Sequence, residues 1–123
     1  MKKFLKYSFY GITYLVVIFF LAIMFIVTAK ADLVKPNNGI EPYQVVKIQL
    51  RGLMNNDNPY EDVGIEQSWE FAHPNNQKYT GPLEKFKNML KGNNYSMLLN
   101  HSDHEVVEIY LSENVATYEV TVL

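Results

Sequence analysis

The chain has 123 residues and a net charge of −2, so a single small domain remains once one membrane-length apolar segment is set aside. It contains no cysteine, which excludes disulfides, thiolate metal sites and cysteine nucleophiles and leaves the redox compartment open. Lys30 to Leu123 carries 8 Lys and Arg against 13 Asp and Glu, a net of −5, which repels a phosphate backbone, so nucleic acid is not an expected partner.

Tyr7 to Ala29 is an uncharged run of 23 residues, 19 of them apolar or aromatic. As a helix it measures roughly 34 Å, enough for a hydrocarbon core of about 30 Å. Residues 1–29 therefore read as a transmembrane anchor in contact with the lipid bilayer. Lys2, Lys3 and Lys6 precede the run, while Lys30, Asp32 and Lys35 follow it. This bias favours a cytoplasmic or stromal amino terminus and a translocated domain. The alternative is a signal peptide cleaved near Ala31, since Ala29-Lys30-Ala31 has the small-x-small form, which would yield a secreted or lumenal domain. The length of the run places the uncleaved single-pass anchor first.

Residues 30–41 hold Pro36, Asn37, Asn38 and Gly39 and read as a short tether. The domain proper is then 42–123. Pro42 suits a first helical turn, and Tyr43, Val46, Leu50, Leu53 and Met54 share one face, predicting a helix over 43–55. Asn58-Pro59 predicts a second helix over 59–72, with Ile65, Trp69 and Ala72 on one side and Tyr60, Val63 and Phe71 on the other. Gly64 in its middle signals weak helix or a close backbone approach. Residues 73–79 read as a loop. Pro82 opens a third helix with Leu83, Phe86 and Leu90 inward and Gly92 as its stop. From Glu105 the period becomes 2. A strand with Val107, Ile109 and Leu111 alternating against Val106, Glu108 and Tyr110 is followed, after Ser112-Glu113-Asn114, by a second. In that second strand Ala116, Tyr118, Val120 and Val122 share one face, and Thr117, Glu119 and Thr121 the other. The fold class is α+β, about three helices packed on one face of an antiparallel sheet. Two strands alone make a marginal sheet, so helix packing suffices or further strands come from elsewhere.

Few residues point to chemistry. His101, Asp103 and His104 offer imidazole and carboxylate close in sequence, yet a polar stretch before a strand reads first as a solvated turn, so no metal site is assigned. His73 follows Trp69 and Phe71 and either points into a pocket mouth or caps the carboxyl end of the second helix, the latter being preferred. Trp69, Phe71, His73 and Tyr79 are the candidate ligand-binding residues, although Trp69 at helical spacing from Ile65 also reads as core. Asp57 and Glu61 resemble paired catalytic carboxylates but suit a helix first turn. No catalytic triad or phosphate loop can be assigned, so no catalytic residue and no cofactor is expected. Asn94 and Asn100 stand in Asn-x-Ser acceptor patterns, which matter only in a eukaryotic secretory lumen.

One combined pattern is familiar: Gln49-Leu50-Arg51-Gly52-Leu53, Trp69-Glu70-Phe71-Ala72-His73-Pro74-Asn75 and Thr80-Gly81-Pro82-Leu83-Glu84-Lys85-Phe86. Over about 43–101 it resembles a family of uncharacterised proteins of bacteria, algae and plants with a phenylalanine-alanine-x-proline turn, then threonine-glycine-proline and a phenylalanine. That family is similar to the cone-shaped fold of nuclear transport factor 2 and cystatin-like proteins. The resemblance implies helices pressed against a curved antiparallel sheet and brings no activity. Cone folds usually have four or more strands, and here two are legible.

The expected function is therefore a non-enzymatic, membrane-tethered interaction module that captures a protein partner, or a second copy, through the 115–123 strand edge. The alternatives are a small-ligand binder or enzyme with a pocket near Trp69 and His73, and a truncated relative kept mainly as an anchor.

Overall fold

The structure, a computed structural model, describes residues 32–123; the apolar run of residues 7–29 lies outside them. No helix among the described residues is long and apolar enough to cross a membrane.

The domain is α+β. Its order is α1 (Pro42–Met54), α2 (Val63–Glu70), α3 (Pro74–Thr80), α4 (Leu83–Lys91), a 3₁₀ turn (Ser96–Leu98), β1 (His104–Leu111) and β2 (Ala116–Val122). Helix α1 starts where the sequence indicates. Pro42 occupies its first turn, and the Gln44 side chain accepts from the Glu41 N–H at 3.2 Å.

Two of the sequence readings are corrected. The helix expected over 59–72 is confined to Val63–Glu70, because Asp62 before it is left-handed, with φ 64°. That backbone is held by the Asp62 N–H donating to Asp57 Oδ1 at 3.0 Å. The loop expected over 73–79 is instead a fourth helix, α3. His73 is its N-cap, its Nδ1 accepting from the Asn75 N–H at 3.1 Å, with Pro74 as first residue. His73 thus caps the amino end of α3 rather than the carboxyl end of α2.

The core lies among the helices. Leu53, Ile65 and Leu90 are buried together, Ile65 completely, with Phe86, Met89, Leu98 and Leu99 packed around them. Helices α1 and α2 approach so closely that a β-carbon on Gly64 would overlap the Gly52 carbonyl group and stand 2.9 Å from Asn56 Cα. The close backbone approach signalled by Gly64 is therefore its contact with Gly52. Asn56, 2% exposed, closes the same junction. Its Oδ1 accepts from the Ile65 N–H at 3.0 Å, and its Nδ2 donates to Asp57 and Asp62.

The two strands pair antiparallel, from His104 opposite Val122 to Leu111 opposite Ala116, with an irregularity between Glu108 and Tyr110. Ala116, Tyr118 and Val122 are half-covered on the helix side, Tyr118 meeting Tyr43 of α1 at 5.9 Å between rings. Thr117, Glu119 and Thr121 are exposed on the other face, as the alternation requires. The segment before α1 is docked rather than loose. Val34 N–H donates to Gln67 Oε1 at 2.8 Å, Gln67 Nε2 donates back to Val34 O at 2.9 Å, and Lys35 pairs with Glu70 at 2.7 Å.

Gly64→Ala, which meets backbone rather than a yielding side chain, is expected to cost about 3 kcal/mol or more and to lower the thermal midpoint by more than ~10 °C. Asn56→Ala strands the buried Ile65 N–H and is expected to cost roughly 1–3 kcal/mol. Circular-dichroism melts of the two variants check both values.

Candidate functional site

Trp69, Phe71, His73 and Tyr79 do not converge. Trp69 is half-buried, its ring 5.1 Å from Phe86 and against Gly81, whose place only a residue without a β-carbon can take. Its carbonyl accepts from Gln77 Nε2 at 2.9 Å, so the residue joins α2 to α3 and α4. Phe71 is half-buried at the end of α2, His73 is spent on the α3 cap, and Tyr79 is 80% exposed. None of the four candidates lines the open grooves along α1, beside β2 or between α1 and α4.

Asp57 and Glu61 do not act as a carboxylate pair. Asp57 accepts from Asp62 N–H, Asn56 Nδ2 and Asn100 Nδ2, and these bonds, that from Asp62 foremost, hold its carboxyl below the usual range. Glu61 is exposed and lies 3.7 Å from Lys91. Asn100, left-handed at φ 54°, ties the chain after the 3₁₀ turn to α1 through its N–H to Leu53 O at 2.8 Å.

His101 and His104 do come together. The buried His101 ring directs Nδ1 at Leu98 O, 2.7 Å away, and Nε2 at His104 Nδ1, 2.9 Å away. A carbonyl only accepts, so His101 Nδ1 carries a proton, and in the neutral ring Nε2 accepts from His104 Nδ1–H. Asp103 instead turns its Oδ1 to the His104 N–H at 2.8 Å. Among the described residues no three His, Asp or Glu side chains are grouped to hold a metal ion. The pair joins the 3₁₀ turn to the sheet, His101 holding Leu98 O and His104 opening β1.

The groove that sequence reasoning missed lies between α1, α4 and β2. It measures about 340 Å³ and is lined by Val46, Leu50, Phe86, Leu90 and Val120, with Ser68 of α2. Ser68 is 4% exposed, and its hydroxyl has no hydrogen-bond partner among the described residues. Apolar spacing foretold the inward stripes on α1 and α4 but gave no sign that the sheet would leave part of them uncovered. Around the hairpin, Val107, Ile109, Tyr110, Leu111, Val115 and Leu123 are exposed. Compared with known proteins, the chain matches no family model, no curated protein and no solved structure.

Burial, His101 and the cations Lys47 and Arg51 push His104 below the ordinary histidine value of about 6.5, against the pull of Asp103. The folded state thus binds fewer protons than the unfolded chain near that value. The contribution is complete above pH ~6.5 and is lost as pH falls through the lower folded value. The melting midpoint is expected to drop between pH 7.5 and 5, and His104→Gln to flatten part of that drop, as pH-dependent melts would show.

Proposed function

We propose that the chain is a non-enzymatic, single-pass membrane-anchored interaction module that captures a protein partner through the free edge of its hairpin. The observation that carries this reading is the two-stranded sheet itself. Both strands are edges among the described residues, and large apolar side chains stand exposed along them, Ile109 at 58% and Leu111 at 55%. A hairpin of two strands is marginal alone, and exposed edges are templates for a further strand. Soluble domains do not usually display such a surface without a use for it. The membrane part rests on the uncharged 23-residue run. Helices on one face of an antiparallel sheet also suit a cone-like fold of the cystatin-like kind, with the partner supplying strands that this domain lacks.

The reading accounts for the candidate residues too. Trp69 serves packing and His73 capping, and around these candidates no polar groups converge among the described residues as a reaction would need.

A photoreactive residue in place of Thr121, on the exposed face of β2, is expected to give covalent protein adducts in native membranes that resist alkaline carbonate extraction. The same probe in place of the exposed Glu84 on α4 gives none. Monomer alone from Thr121, or equal labelling from both positions, overturns the reading.

A further inference from the structure

The hairpin has a one-sided charge. From Ser102 to Leu123 there is no Lys or Arg, while Asp103, Glu105, Glu108, Glu113 and Glu119 contribute five carboxylates. Glu105 and Glu119 lie within the strands on the exposed outer face, while Glu108, opposite Tyr118, is exposed on the helix side. A second copy adding its hairpin to this one would set one acidic row against another, and like charges across a strand pair are unfavourable.

The ladder also determines which main-chain groups a newcomer would meet. Leu123 N–H donates to Asp103 O at 2.9 Å and Leu123 O accepts from Ser102 N–H at 2.8 Å, so the main-chain groups of Leu123 turn toward the β1 side. Antiparallel ladders alternate bonded pairs with pairs whose N–H and C=O groups turn away. Val122 and Val120, opposite His104 and Val106, therefore turn their main-chain groups outward, toward the edge of β2 that no described strand covers. Val120 also borders the groove over Leu50, Phe86 and Leu90, to which β1 contributes nothing. Residues directly opposite on paired strands share a face. A residue bonding Val120 from a third strand thus drops its side chain into that groove, beside the unpartnered hydroxyl of the buried Ser68.

We propose that the occupant of this edge is a basic extended segment of a partner protein, alternating Lys or Arg with small branched side chains, which adds as a third strand beside β2 and fills the α1–α4 groove. This rests on the edge-capture reading above and names the chemistry of the partner. The cations meet the acidic face of the sheet, the branched residues reach the groove, and a threonine among them offers Ser68 a hydrogen bond.

The test uses the full chain in nanodiscs of neutral phosphatidylcholine and fluorescent ten-residue peptides. The Lys-Val alternating peptide is expected to bind at least tenfold more tightly than its Glu-Val counterpart. The same margin is expected over a Lys-Val peptide with every second main-chain amide methylated, which keeps the charge but cannot complete a ladder. Glu119→Lys, an exposed position, weakens Lys-Val binding about fivefold, and a photoreactive residue at Val120 labels the peptide. Equal binding of the methylated peptide reduces the effect to ionic attraction and overturns the proposal. So does a Val120 adduct to residues 1–31 of the same chain or to a second copy. If Thr121 adducts persist in native membranes while Lys-Val does not bind, the partner chemistry is wrong and edge capture stands. If both are absent, both fail.

Discussion

The domain depends on the crossing of α1 and α2, where Gly52 and Gly64 bring two backbones together without side chains between them. Helices normally pack with 8–10 Å between axes, the distance being set by the side chains at the contact. Removing those side chains lets the helices approach closely, and Asn56 then reaches across to the buried amide end of α2. That amide belongs to Ile65, the most deeply buried side chain of the core. One junction thus aligns the helix, satisfies its first turn and seats the residue on which Leu53 and Leu90 close.

A polar ring surrounds that junction. Asp62 receives Lys91 at 2.7 Å, and Glu66 receives both Lys87 at 3.1 Å and the Tyr60 hydroxyl at 2.8 Å. The hydrogen bond to Glu66 raises the Lys87 pKa, and that to Asp62 raises Lys91. Burial, helped by the same Glu66, raises Tyr60. These contacts bind α4 to α2 from its lysine face while Phe86 and Leu90 bind it from the other. Among the described residues the sheet has no comparable ring. It is joined to the helices through Tyr43 with Tyr118, the histidine pair and the Asn100 corner.

The sequence pattern disclosed what period and punctuation encode. Leu50 and Leu53 point inward on α1, Gly92 ends α4, and the alternation in β2 separates Tyr118 and Val122 from Glu119 and Thr121. It hid what depends on distant partners. Helix α2 starts four residues after Pro59 because Asp57, in a loop, holds the Asp62 amide, a bond no local propensity reports. Helix α3 was masked by its composition, Pro-Asn-Asn, although a capping side chain before a first-turn proline was there to be read in His73-Pro74. Among the candidate site residues, Trp69 proved to be a structural neighbour of Gly81 and Phe86, while Tyr79 stands exposed. The α1–α4 groove escaped notice because an uncovered stripe and a covered one have the same spacing.

The clamp between Val34 and Gln67 has a mechanical consequence. Its two hydrogen bonds lie in parallel, reinforced by Lys35 with Glu70, so tension arriving through Asp32 loads them together. The load passes into α2, and from there through the Gly64 and Gly52 contact into α1. The hairpin lies off that path. A pull on residues 32–35 thus reaches the packed helices before it reaches the hairpin.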